Sequence, residues 1–241
     1  ITLLMKAGFP VERIFFVPNN VAPYELAFAL KNKVMTSLDS LSQLELFGEV
    51  CNQMNIPAGE RKCAVRINPG VGAGHHEKVV TGGKKTKFGI AEYDIPHIFE
   101  IASKYGVRIA GINQHIGSLF MDPQPYLDAV TNLLRIAEGF KDLDFIDFGG
   151  GYGIPYHKLD NEKDFPMEDF KARLEPILDD FVARYGKAPL FKSEPGRFCV
   201  AEGSVILGRV HATKENSGIQ FAGTDVGMNV LVRPSMYDSH H

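Results

Sequence analysis

The stretch Phe145-Ile146-Asp147-Phe148-Gly149-Gly150-Gly151-Tyr152-Gly153 runs a short apolar segment straight into a cluster of glycines. Such glycines have two uses after a strand. Backbone N–H groups freed of side chains can converge on a phosphate, helped by the dipole of a following helix, or the glycines can serve a tight turn that needs positive φ. Three further runs end in polar segments: Arg66-Ile67-Asn68-Pro69-Gly70, Gln114-His115-Ile116-Gly117-Ser118 and Glu194-Pro195-Gly196-Arg197. A doubly wound sheet concentrates its ligand at one switch point, whereas a barrel collects chemical groups from the carboxyl ends of many strands. The spread of these motifs predicts a barrel.

Working outward, β-branched or aromatic runs predict strands at Ile14–Val17, Val34–Leu38, Cys63–Ile67, Ile109–Asn113, Phe145–Phe148 and Leu190–Lys192. Helical spacing fills the gaps. Tyr126, Val130, Leu133, Leu134 and Ala137 fall on one stripe, and Phe170, Leu174, Ile177, Leu178, Phe181 and Tyr185 on another. Strands alternating with helices predict an α/β fold with a parallel sheet. Six strands of an eight-stranded barrel place two before Ile1, so the glycine loop and Glu194–Arg197 would follow strands seven and eight, where barrels frequently build phosphate sites. Two sheet edges would then be unpaired. After Arg197 the alternation stops, and Gly203–Val210 and Ile219–Asp225 read as extended segments. The expected division is a barrel domain over 1–203 and the truncated beginning of a β-rich domain over 204–241.

Composition narrows the function classes. The 241 residues are 44% hydrophobic and 23% charged, the makeup of a globular chain with a substantial core. No apolar run approaches the length of about 20 residues that a membrane helix needs. The start, Ile1-Thr2-Leu3-Leu4-Met5-Lys6, reads as a cut rather than a signal peptide. A net charge of −3 argues against a nucleic-acid partner, the lysines being scattered apart from Lys84-Lys85-Thr86-Lys87. Three cysteines without close pairing, Cys51, Cys63 and Cys199, suggest reduced thiols and a cytoplasmic location. His75-His76 and His240-His241 lack metal-binding geometry and read as solvated, the last pair as a possible tag remnant, so no metal is expected.

Glu194, charged at a strand end, needs a partner: a cationic ring nitrogen, or Arg197 in a plain ion pair. Arg197 could form a planar fork with phosphate or carboxylate, and Gly196 would permit close backbone approach. Taken with Lys87-Phe88-Gly89, Asp225-Val226-Gly227-Met228-Asn229 and Arg233-Pro234-Ser235-Met236-Tyr237, these motifs resemble the fold type III pyridoxal-phosphate-dependent decarboxylases, the family of ornithine, diaminopimelate and arginine decarboxylases. The resemblance covers nearly the whole chain.

That resemblance implies a TIM (β/α)8 barrel of alanine-racemase type, present here as about six βα units, with pyridoxal 5'-phosphate as cofactor. It implies that His115 stacks on the cofactor ring and Ser118 reaches toward the phosphate. Gly150, Gly151 and the backbone of Glu194, Pro195, Gly196 and Arg197 would hold the phosphate. Glu194 would keep the pyridine nitrogen protonated, so His115 and Glu194 are the expected catalytic residues, and Arg66 would lie near the cofactor. Arg197, Arg233 and Tyr237 would bind substrate, two arginines suiting a substrate with more than one carboxylate. Decarboxylation of meso-diaminopimelate to L-lysine is therefore expected, by a homodimer with shared active sites.

Some residues leave alternatives open. Asp238 stands where ornithine-type members carry an aspartate, so ornithine or arginine decarboxylation, D-amino-acid decarboxylation and racemisation remain rivals. A non-catalytic regulatory homologue or inactive fragment is the rival of another class. The family's covalent lysine lies at the end of the first barrel strand, ahead of Ile1. Lys192 is the nearby substitute, on the face of Glu194 but at the wrong strand. Asn113 replaces a histidine common in relatives.

Overall fold

The computed structural model describes residues 1–68, 70, 86–157 and 161–240. Pro69, His75-His76, Lys84-Lys85 and His241 lie outside the described residues. Six parallel strands form one sheet in chain order: β1 Phe15–Phe16, β2 Met35–Leu38, β3 Lys62–Arg66, β4 Arg108–Asn113, β5 Phe145–Asp147 and β6 Leu190–Lys192. Each falls within a residue of the expected run. Between them run the helices α2 Pro23–Lys31, α3 Leu41–Gln53, α4 Ile95–Tyr105, α5 Gln124–Ala137 and α6 Met167–Tyr185, following a short α1 Thr2–Lys6.

Sequence alternation becomes two faces. Leu38, Val65, Ile112, Ile146 and Phe191 are register partners across β2 to β6. The first four of them are buried in the main apolar cluster. Each buried aliphatic side chain in such a row contributes about 1.5–3 kcal/mol relative to exposure. Both helical stripes pack as their spacing predicts: Tyr126, Val130, Leu133, Leu134 and Ala137 are buried, as are Phe170 and Phe181, with Leu174, Ile177, Leu178 and Tyr185 half-buried against them.

The other face turns inward. Phe15 on β1 and Phe145 on β5 meet edge to face with ring centroids 5.1 Å apart, although four strand spacings in a flat sheet would separate them by about 19 Å. The sheet must therefore curl, as in a (β/α)8 barrel. Its next inward layer is polar: Arg66, Asn113, Asp147 and Lys192 are consecutive register partners from β3 to β6. Ser37, one strand further on, donates to Asn113 Oδ1 at 2.5 Å in the buried interior.

The carboxyl-terminal part corrects one expectation. The strands here are β7 Val210–Asn216 and β8 Ile219–Thr224, an antiparallel hairpin, whereas Gly203–Val210 had read as extended. Gly203 instead ends a single 3-10 turn, and Val205, Ile206 and Leu207 are exposed outside any strand. Turn chemistry explains the shift. Ser217 and Gly218 both adopt positive φ, 51° and 79°, the type I′ geometry that pairs the residues immediately flanking it. Two short helices complete the chain, α7 Gly196–Val200 and α8 Arg233–Tyr237.

Candidate active site at the strand ends

Two residues beyond the polar layer, the loops after β4, β5 and β6 lock together through backbone. Glu194 N–H donates to Gly149 O at 2.9 Å, and Phe120 N–H donates to Gly151 O at 3.1 Å. Glycine is required by the closeness of these approaches. A Cβ on Gly150 would lie 1.9 Å from Glu194 O, and one on Gly151, where φ is +109°, would lie 2.3 Å from Gly117 O. At Gly196 a Cβ would meet nothing within 4 Å, so chain packing does not require that glycine and the space beside it is open. Among the described residues the next helix after the glycine loop, α6, starts only at Met167, too far along the chain to place its dipole behind the loop. The loop's own N–H groups and its neighbours must do that work.

The side chains follow the strands that carry them. Arg66 is buried in the barrel interior, with Asp39 and Glu194 as opposite charges. Its guanidinium stacks 4.9 Å from the Phe88 ring, which gives Lys87-Phe88-Gly89 a structural purpose. Half-buried His115 accepts from Gly150 N–H at Nδ1, 3.3 Å away. Burial, reinforced by the Arg66 charge, lowers the His115 pKa to about 4, so the imidazole is neutral at pH 7. Ser118 is half-buried on the loop whose Gly117 carbonyl abuts Gly151.

Glu194 is exposed as a residue at the barrel mouth, but its carboxyl points inward and hydrogen-bonds Asp147. Burial of that carboxyl and the adjacent Asp147 raise its pKa to about 7, Arg66 opposing them. Asp147 is raised as well, chiefly by burial, while Gly149 N–H donates to its Oδ1 at 2.9 Å. Two carboxyls in contact away from water each disfavour the other's ionisation, so both bind a proton more readily than a free carboxyl. Sequence reading missed Asp147, which only the register of β5 with β4 and β6 marks out. Lys192 itself has its Nζ 3.8 Å from the Phe145 ring, one layer below Glu194.

The predicted substrate residues lie on the other side of the Glu194–Arg197 loop. Arg197 and Arg233 line one cavity of about 1090 Å³, together with Tyr156, His157, Glu202 and His240. Arg197 hydrogen-bonds Tyr156, yet its Nη1 is buried without a hydrogen-bond partner among the described residues. Tyr237 is half-buried on α8 and does not line this cavity. Tyr156 and His157 escaped the sequence reading, since nothing in their spacing marks them. His240 is exposed, though its ring centroid lies 4.4 Å from that of His157. Among the described residues no group of three or more His, Cys, Asp or Glu could hold a metal, and no helix is long and apolar enough to cross a membrane.

Three glycine-tight loops, a neutral imidazole and a proton-binding carboxyl at one barrel mouth match a known family. Residues 1–201 match the pyridoxal-dependent decarboxylase family's pyridoxal binding domain. The chain belongs to the pyridoxal-dependent decarboxylases. It is 42% identical to diaminopimelate decarboxylase of Methanothermobacter thermautotrophicus over 98% of this chain and 55% of that protein. It is 32% identical to the Aquifex aeolicus enzyme of the same name, over 99% of this chain and 56% of that one. The crystal structure of diaminopimelate decarboxylase from Helicobacter pylori complexed with L-lysine superposes with a TM-score of 0.86 at 30% identity, covering 98% of this chain and 58% of that one. The chain thus spans about half the length of the curated relatives it matches.

The site fits the family's cofactor. The glycine loops leave backbone where a Cβ would collide, Glu194 offers a protonatable carboxyl, and Arg197 has an unfilled donor. A phosphorylated pyridine ring can use each of these groups.

Proposed function

We propose that this chain is the cofactor-binding part of a decarboxylase that converts meso-diaminopimelate to L-lysine. The observation that carries the substrate assignment is the sharing of one cavity by Arg197 and Arg233, with Arg197 Nη1 buried and unfilled. Two guanidinium groups suit a substrate with two carboxylates, and Glu202 on the same wall suits an ammonium. Similarity to diaminopimelate decarboxylases supports the reading. Ornithine is the second candidate because of Asp238, but that residue is exposed at the end of α8 and does not line the cavity.

In this reading Gly150, Gly151 and the backbone of Glu194 to Arg197 would hold the phosphate, with Gly150 N–H, which now donates to His115 Nδ1, among the donors. Ser118 would reach the same phosphate. His115 would stack on the ring and, being neutral, add no positive charge there. The Glu194 carboxyl would keep the ring nitrogen protonated, with Arg66 on β3 as an opposite charge beside it. The bound cofactor supplies the electron sink for the pair left when carbon dioxide departs. Tyr237, on α8 but not lining the cavity, is given no substrate contact in this reading. Lys192 takes no covalent role, because its ammonium is engaged with Phe145 a layer below. The reading extends to a cytoplasmic homodimer with shared active sites and to a domain boundary between 203 and 204.

Carbon dioxide release from meso-diaminopimelate and L-ornithine by the whole protein tests the assignment. Turnover of diaminopimelate with little from ornithine is expected; the opposite preference, or turnover of neither, defeats it.

A further inference from the structure

Behind the glycine loop, on the helix side, lies a chain of hydroxyls that the proposed chemistry does not use. Tyr126 on α5 is fully buried, and its OH donates to Gly149 O at 3.1 Å. Since its proton is committed there, its oxygen must accept from Tyr152, whose OH is 2.8 Å away. The Tyr152 hydroxyl also donates to Ser193 Oγ at 3.2 Å, sharing its proton between the two oxygens. A chain of hydroxyls thus joins Ser193, Tyr152 and Tyr126 to Gly149 O. Burial raises the pKa of both phenols above the ordinary tyrosine range, which keeps the two donors protonated.

Both ends of the relay belong to the cradle. Ser193 directly precedes Glu194, and Gly149 O also accepts from Glu194 N–H at 2.9 Å. The Gly149 carbonyl is thus held from the β6 side and from the helix side at once. Fixing this carbonyl fixes the peptide plane that carries Gly150 N–H, because the two atoms belong to one rigid peptide unit. The rings leave no freedom for the hydroxyls to wander. Tyr126 stacks on Phe120 with centroids 5.1 Å apart, and Tyr152 packs edge to face with Phe165 and Phe170 at 5.6 and 5.7 Å.

We infer that Tyr126, backed by Tyr152 and Ser193, is a positioning residue that aims the glycine-loop N–H groups at a phosphate monoester. This rests on the cofactor reading above and adds the source of the cradle's rigidity. None of the three residues need touch the ligand.

The test compares the affinities of the whole protein for pyridoxal phosphate and for pyridoxal, which lacks the phosphate. Tyr126→Phe keeps the ring packing and removes two buried hydrogen bonds, the one that holds Gly149 O and the one from Tyr152, so the preference for the phosphorylated form should fall about fivefold. Pyridoxal affinity should not change. Tyr152→Phe and Ser193→Ala should lower the same preference by smaller steps, and Ser193, being exposed, gives a variant that folds even if Tyr126→Phe does not. An unchanged preference in the folded variants overturns the inference. Equal affinity of the unsubstituted protein for the two compounds would instead defeat the cradle reading itself, so the two failures are distinguishable.

Discussion

The glycine-loop mouth and the Arg197–Arg233 cavity sit on either side of one short loop, and they are built in opposite ways. The first is backbone against backbone, with three loops so close that a Cβ on Gly149, Gly150 or Gly151 would lie within 2.4 Å of a carbonyl oxygen. The second is long side chains from separate elements facing an open volume, with one guanidinium nitrogen unfilled. Backbone contacts cannot adjust without moving strands, whereas arginine stems rotate at modest cost. One end is therefore suited to an invariant phosphate and the other to a substrate that comes and goes.

The sharpest way to break this contrast is Gly150→Ala. A Cβ 1.9 Å from Glu194 O must separate the β5 and β6 loops, an overpacking that costs about 1–3 kcal/mol of stability. The whole protein should lose pyridoxal phosphate on dialysis, seen as loss of the cofactor's absorbance. Retention of cofactor would mean that the rigid end is not rigid. Arg233→Ala probes the other side: KM for meso-diaminopimelate should rise about thirtyfold through loss of a charge-assisted contact. Cofactor affinity should stay constant, and a parallel fall would show that the two ends are not independent.

Asp147→Asn separates charge from geometry at the rigid end, because the amide can still accept from Gly149 N–H. Glu194 rises from 4.5 in the unfolded chain to about 7 in the folded one. The folded state thus holds a proton that the unfolded state releases, and this stability is full below 4.5 and lost as pH rises through about 7. His115 runs the other way, its contribution full above 6.5 and lost as pH falls through about 4. Without Asp147's charge the Glu194 pKa should drop toward the ordinary carboxylate value. The loss of stability between pH 5 and 7 should shrink, measured as urea midpoints on cofactor-free protein, and an unchanged slope would place the proton elsewhere. The smallest effect is expected from Ser37→Ala, which removes the buried bond to Asn113 at a cost of about 1 kcal/mol. Urea unfolding at pH 7 checks it, with no change in cofactor affinity.

Much of this was legible before any coordinates. Strands and helix stripes were visible because alternation and 3.6-residue spacing are local consequences of backbone geometry. The polar strand ends were visible because glycine, histidine, glutamate and arginine are unusual there. Asp147 was not, since one aspartate inside an apolar run carries no mark until its neighbours on β4 and β6 are in register. The Tyr126–Tyr152–Ser193 relay was hidden for the same reason: Tyr126 reads as one more apolar position on a helix stripe, and only packing brings its hydroxyl to Gly149. Of the two extended segments read near the end, Ile219–Asp225 coincides with β8, whereas Gly203–Val210 precedes β7, because the Ser217-Gly218 turn pairs the residues that flank it.

What the sequence by itself determined is the family, the parallel α/β architecture and the identity of the strand-end motifs, because each is written in residues adjacent along the chain. Only the tertiary structure decided which carboxyls meet, which glycines are sterically obligatory and which arginines face the same space. Those properties depend on distances between strands, and curling of the sheet sets them.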